Sequence, residues 1–391
     1  MERAMNITDI LEKLAIPRPN HSDTLDAVIA SIKQLLSSWD IAFNVQEFTL
    51  RPYEHALVGL FCILLSIFSF VFITRKKPIL ALLCAVLIPV VAILEFEYCI
   101  PVVSWIISKT GQNIIIPFDV ANPVREIIFM AHVDSKTDFF DHIERARVYN
   151  WIPVAVIIGL LLPVIMKLSV KIKILAHEIV NRVIQGLSVL LILYWCLVGI
   201  AFGGFIFLEE ESPGAVDNGG SVTTLLKLSQ KIHLGNVNTA DNRITIVLTT
   251  GEEVGLQGAD AYLEKRFNGK DKDDVPVYLV NLELVGQNGN MVYWEKTGTF
   301  LNWYGVNPEL VKRLNRAWKT VSGKEMERAG KITDDTQRFA AVDIPFITVG
   351  NSGVPGLGMG GFHSSDDNMD RVNADNIRLM IKTLSAFIEQ W

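Results

Sequence analysis

Charge is scarce in this 391-residue sequence: Asp, Glu, Lys and Arg make up 20% of it, against about 25% in a soluble globular chain. Hydrophobic residues make up 50% and the mean hydropathy is +0.31, so disorder and a purely soluble enzyme both fit poorly. Basic residues are not in excess. A formal net charge of −6 gives no reason to expect nucleic acid, which would call for a basic face. Low-complexity tracts and repeats of fixed period are also missing. The four cysteines, Cys62, Cys84, Cys99 and Cys196, lie in or beside apolar runs and form no C-x-x-C pair. That placement argues against a disulfide framework or a thiolate zinc site and suits buried membrane thiols. The opening Met-Glu-Arg-Ala-Met-Asn has neither the charged nor the apolar region of a cleavable signal peptide, and none is expected.

Long apolar runs are what the sequence does have. Four uncharged stretches, Leu57–Thr74, Pro78–Leu94, Val148–Met166 and Val183–Leu208, reach the roughly 17–25 residues a helix needs to cross a hydrocarbon core. Pro163 falls late in the third, for which a buried core helix is the alternative. The stretches pair into two hairpins. The first has the loop Arg75-Lys76-Lys77; the second has a loop from Lys167 to Arg182 with Lys171 and Lys173 against one Glu178. The opposite flanks carry Glu95 and Glu97, and Glu209, Glu210 and Glu211. The positive-inside rule puts both basic loops in the cytoplasm, and everything else, termini included, on the extracytoplasmic or lumenal side.

The remainder, segments 1–54, 101–147 and 209–391 around hairpins 55–100 and 148–208, amounts to roughly 290 residues, the size of one α/β domain. A helix fits Asp23–Ser38, with Leu25, Val28, Ile29, Ile32 and Leu35 on one face and Ser22 as N-cap. Further helices fit Ser221–Ile232, Gln257–Arg266, Pro308–Val321 and Asn376–Gln390. Strands fit Ile41–Leu50, Asn113–Phe118, Glu126–Ala131, Ile244–Thr249, Val277–Leu284 and Phe346–Val349. Apolar strands separated by helices predict a mostly parallel central sheet with helices on both faces. Such sheets place ligands beyond the carboxyl ends of their strands.

Those ends carry chemistry. The strand at 127–131 runs into His132-Val133-Asp134-Ser135, that at 244–249 into Gly251-Glu252-Glu253-Val254-Gly255, and that at 277–282 into Glu283-Leu284-Val285-Gly286. The last leads through a glycine-rich loop to Phe362-His363-Ser364-Ser365-Asp366-Asp367, and Pro213-Gly214-Ala215-Val216-Asp217-Asn218 follows the fourth apolar stretch. Each element alone reads as ordinary: a Glu-Glu pair is commonly a solvated helix start, and a loop histidine a satisfied polar group. Together they supply two imidazoles, three carboxylates and a spare carboxylate, as two divalent cations and a base require. Imidazole with carboxylate suits zinc.

These runs, with Gly255-Leu256-Gln257-Gly258 and Asn281-Leu282-Glu283, resemble metallopeptidase family 28 (clan MH), which contains di-zinc aminopeptidases, some carboxypeptidases and glutaminyl cyclases. The resemblance covers nearly all of the chain outside the hairpins, in the family's order. It implies a zinc exopeptidase fold and two zinc ions: His132 and Glu283 on one, Glu253 and His363 on the other, and Asp217 bridging. It further implies that Asp134 hydrogen-bonds His132 and fixes its tautomer, and that Glu252 is the general base. The implied activity is a membrane-anchored aminopeptidase that hydrolyses peptides through a metal-bound hydroxide. Three positions depart from the family pattern. Glu283 stands where Asp is commoner, Phe362 where a Tyr hydroxyl is common, and Ala259 where Ser is common. Asp335 matches a family position near the site. A glutaminyl cyclase is the alternative within the fold, since it shares His132-Val133-Asp134-Ser135-Lys136; such a cyclase typically works with one zinc. A non-catalytic receptor or scaffold would predict lost ligands, and a transporter would predict intramembrane ionisable pairs. The expected partners are a peptide substrate and the lipid bilayer. Asp217 follows Leu208 by nine residues, at most roughly 30 Å of extended chain, so the metal face is expected near the membrane surface, with the hairpins walling the site.

Overall fold

The computed structural model describes residues 6–140, 142–169, 174–267, 275–353 and 361–391. The glycine-rich loop at 354–360, and Lys171 and Lys173 of the second basic loop, lie outside them. The chain divides into two compact units, one of Met1–Pro52, Lys109–Thr137 and Glu210–Trp391 and the other of Tyr53–Ser108 and Asp138–Glu209.

The first unit is built on nine strands: β1 (Asn44–Leu50), β2 (Lys109–Phe118), β3 (Arg125–His132), β4 (Asn242–Thr249), β5 (Val277–Leu282), β6 (Met291–Gly298), β7 (Trp303–Gly305), β8 (Glu327–Ile332) and β9 (Phe346–Asn351). They form one sheet in the order β1-β2-β4-β3-β5-β9-β6-β7, with β8 paired to β6. The centre, β4-β3-β5-β9, is parallel throughout. The flanks are not: β1–β2, β2–β4, β6–β7 and β6–β9 are antiparallel. The expected parallel centre is present, and the antiparallel flanks make the sheet as a whole mixed. Outside the centre, β6 and β8 also pair in parallel, with helix Pro308–Ser322 between them in the chain.

Helices cover both faces, and the alternation along β3 shows why. Ile127, Phe129 and Ala131 join one apolar cluster with the helices Asp23–Ser38, Gly220–His233, Pro308–Ser322 and Ala374–Glu389. Ile128 and Met130 point the other way, onto Ala259 and Tyr262 of helix Gln257–Phe267 and Phe339 of helix Thr336–Ala340. A strand buried on both faces has no polar side to spare, which is why β3 and β4 read as unbroken apolar runs. Ser22 caps Asp23–Ser38 through the Leu25 N–H. The helix Ile7–Leu14, capped by Asn6, and the strands β6, β7 and β8 were not anticipated by the apolar pattern.

Among the described residues the second unit holds four helices long and apolar enough to cross a membrane. Glu54–Thr74 and Pro78–Phe96 form one pair, each somewhat longer than the apolar run alone indicated. In the second pair the chain breaks at 150–151, so Val148 belongs to a separate short helix, His142–Tyr149, and the long helix is Ile152–Ser169. Its partner Ile174–Gly203 begins earlier than expected and gives way to a tight turn at Gly204–Phe207. Small residues let the helices approach closely: a Cβ built on Gly59 would stand 3.0 Å from the Gly199 Cα. The four helix ends that lead away from the basic loops gather around His55, Tyr149, Phe96 and Phe202. The His55 ring stacks on Phe96 at 4.9 Å, and Phe96 meets Phe202 at 5.5 Å and Tyr149 meets Phe202 at 5.3 Å.

Candidate metal centre

The parallel strands end side by side, His132 of β3 opposite Thr249 of β4 and Leu282 of β5 opposite Val349 of β9. The chemistry predicted from the sequence leaves from those ends. His132 closes β3. Gly251, at φ 78°, turns the chain after β4 so that Glu252 and Glu253 follow at once. Glu283 comes directly after β5, its N–H bonded to Val349 O at 2.9 Å. The turn Ala215–Gly219 carries Asp217 ahead of helix Gly220–His233. A Cβ on Gly220 would stand 1.8 Å from Val285 O, so only glycine lets this helix start against the loop after β5. His363 adopts φ 60° in the loop after β9.

These five side chains converge. His132 Nε2 lies 3.2 Å from Asp217 Oδ1 and 3.4 Å from Glu283 Oε2. His363 Nε2 lies 3.2 Å from Asp217 Oδ2 and 2.9 Å from Glu253 Oε1. Among the described residues three three-residue donor groups result, His132/Glu252/Glu253 and the two that share Asp217, His132/Asp217/Glu283 and Asp217/Glu253/His363, with donor atoms within 4.8 Å of one another in each. Asp217 serves the latter two with different oxygens. Glu252 Oε2 stands 4.0 Å from His132 Nε2.

Surrounding groups hold these carboxylates in place. Asp367 accepts from the Val216 and Asp217 N–H groups at 2.8 and 3.1 Å. Asn218 Nδ2 and Asn281 Nδ2 donate to the two oxygens of Glu283 at 2.9 and 3.1 Å. Asp134 meets His132 through its main chain. Its carboxylate is 3.8 Å from His132 Nδ1, whereas its main-chain oxygen is 3.0 Å away. The carboxylate instead accepts from Asn20 Nδ2 at 2.6 Å and from the Glu253 N–H at 3.1 Å. A carbonyl accepts only from N–H, so it fixes the His132 tautomer, leaving Nε2 as the donor atom. The Asp134 side chain is thus free to shape the Glu252–Glu253 turn. Phe362 packs with Val216, Leu284, Val292 and Trp294 and offers no hydroxyl. Ala259 is core. Asp335 is fully buried and accepts from Thr249 Oγ1 at 2.7 Å. Asn20, Asn218 and Asp367 were not singled out from the sequence, nor was Arg18. The Arg18 guanidinium is fully buried and donates to the carbonyls of Leu14, Ile16, Val133, Pro213 and Gly214.

So many buried carboxylates repel one another. Burial pushes Glu283 up to about 8 despite the opposing pull of His132. It pushes Asp335 up to about 7 against its Thr249 hydrogen bond, and Asp367 up to about 7 with help from Asp217. Glu252 rises well above the usual range, by burial first and then by Glu253 and Glu283. Burial alone would lower His132, but Glu283 and Glu252 outweigh it and raise it far above neutral. Buried imidazole nitrogens beside carboxylate oxygens suit a divalent metal ion, zinc first.

Residues 201–388 match the model of peptidase family M28. His132 and Asp134 precede that stretch. No curated protein matches this chain. Among solved structures, the chain is similar to a Zn-dependent exopeptidase from Parabacteroides distasonis, with 15% identity, a TM-score of 0.56 and coverage of 100% of both chains. It is also similar to the Bacteroides thetaiotaomicron glutaminyl cyclase bound to N-acetylhistamine, at 13% identity, a TM-score of 0.56, and 100% of this chain and 99% of that one. A leucine aminopeptidase precursor from Bacteroides thetaiotaomicron aligns at 14% identity, a TM-score of 0.55, and 100% and 98% coverage. These likenesses establish the zinc-exopeptidase fold; the activity has to be argued from the site.

Proposed function

We propose that the protein is a membrane-anchored di-zinc exopeptidase that removes N-terminal residues from peptides. The observation that carries this reading is the pair of donor groups that share Asp217. One ion would need only one of them. His132, Asp217 and Glu283 would hold the first ion, and Asp217, Glu253 and His363 the second. Two ions so held would acidify a water and polarise the scissile carbonyl. Glu252 stands 4.0 Å from His132 Nε2, and its raised proton affinity suits a group that takes a proton from water and returns it to the leaving amine. The Asp134 carbonyl keeps His132 in the tautomer that presents Nε2. The Asp134 carboxylate, itself held by Asn20, bonds the Glu253 N–H, so the general base and its neighbour are fixed relative to His132.

In this reading the four apolar helices cross the bilayer, with the loop at Arg75-Lys76-Lys77 cytoplasmic and the catalytic unit on the opposite side. The test is mass spectrometry of a mixed peptide pool incubated with the full chain in detergent, beside Glu252→Gln. Stepwise loss of N-terminal residues, abolished in the variant, is expected. Loss of ammonia confined to N-terminal glutamine would replace this reading with a glutaminyl cyclase.

A further inference from the structure

Twelve residues, Glu97 to Ser108, join the second apolar helix to β2; Glu97 is buried, and the eleven after it carry no charge. They leave large apolar side chains in the open: Tyr98 is 55% exposed, Ile100 50%, Trp105 65% and Ile106 61%. A water-soluble connector of this length would carry polar side chains and leave its backbone to water. This one does the reverse. The Tyr98 N–H bonds back to Ile93 O and the Ile100 N–H to Leu94 O, and Pro101 has no N–H to satisfy. The Val103 and Ser104 N–H groups and the Ser104 hydroxyl all donate to the carboxylate of Glu95, which is buried with Ser104. The Ile107 N–H closes a turn on Ser104 O. Polar groups therefore face inward onto the helix end while Trp105 and Ile106 point out.

Half of the N–H groups over 98–108, those of Tyr98, Ile100, Val103, Ser104 and Ile107, are bonded internally beneath an apolar aromatic surface, which suits a segment where water is depleted. The same end of the unit carries Trp151, 62% exposed, and Phe207, 69% exposed, on the two helix ends that meet at Tyr149 and Phe202. Trp and Tyr favour the headgroup layer because their rings are apolar with one polar edge. We propose that residues 98–107 form a foot that lies in the headgroup layer of a lipid bilayer, held rigid by Glu95. This rests on the membrane-spanning reading and adds a second, interfacial attachment to it.

The test uses the full chain reconstituted in vesicles of phosphatidylcholine and phosphatidylglycerol, with the Trp105 signal taken as wild type minus Trp105→Phe. The expected result is blue-shifted emission that is lost more to lipids brominated near the headgroup than to lipids brominated deep in the chain, and is little affected by acrylamide. Quenching by acrylamide but not by brominated lipid, in a chain that alkaline carbonate cannot extract, would overturn the foot and leave the spans standing. Shielding from both quenchers would mean that a protein surface covers the segment, which also overturns the proposal. A chain that carbonate extracts would end the membrane-spanning reading and the foot with it.

Discussion

Replacing Arg18 with methionine tests how the site is held together. The guanidinium ties together three stretches of chain: Leu14 and Ile16 near the start, Val133 just after His132, and Pro213 and Gly214 just before Asp217. Five hydrogen bonds from a charged donor, at about 1.5 kcal/mol each, contribute roughly 7 kcal/mol. Against this, burial lowers the group from 12.5 to about 10, a cost of roughly 3 kcal/mol. Removing the guanidinium loses both, so Arg18→Met should destabilise the unit by about 4 kcal/mol, or about 8–16 °C in Tm for a domain of this size. Arg18→Lys keeps the charge but has three donors in place of five, and should fall between. The assay is the thermal transition of the full chain in detergent, followed by tryptophan emission. A methionine variant that melts within about 2 °C of wild type would refute the view that these carbonyls depend on the guanidinium.

Three further outcomes are expected. Glu252→Gln should keep its bound zinc, measured by elemental analysis, while kcat falls about 10²–10⁴-fold as expected for loss of a general base. Asn20→Ala should cost about 1–2 kcal/mol in thermal stability, because the Asp134 carboxylate loses its side-chain donor. In chelated protein the pH dependence has a definite sign. Glu283 and Asp335 move from about 4 unfolded to about 8 and about 7 folded, so the folded state binds more protons and stability falls as pH rises between those values. Zinc should remove most of that slope; a metal-free chain that becomes more stable from pH 5 to 8 would contradict the assignment of these buried acids.

Much of this was legible in the sequence because burial leaves a periodic trace. Asp23–Ser38 carried both its apolar stripe and its Ser22 cap, and the central strands showed as apolar runs because both of their faces are covered. The strand-end motifs pointed to the site because parallel sheets align their carboxyl ends. What stayed hidden has physical reasons. β8, Glu327–Ile332, is largely exposed and has no apolar alternation to read. The antiparallel flanks depend on which strand lies alongside, which an apolar run does not encode. Arg18 and Asn20 act through hydrogen bonds that span more than a hundred residues; nothing local marks a proline-flanked Arg as the keystone of two distant loops. Asp134 hydrogen-bonds His132 as the resemblance implied, through its main-chain oxygen at 3.0 Å and not its carboxylate at 3.8 Å, a difference that no sequence motif encodes.

The central claim is that Asp217 is shared by two ions, and a metal count tests it most directly. Full-length protein, saturated with zinc and desalted, should carry two zinc ions per chain by elemental analysis, and Asp217→Asn should lose both while remaining folded. A single tightly held ion in the wild type, unaffected by removal of His363 or Glu253, would contradict the account.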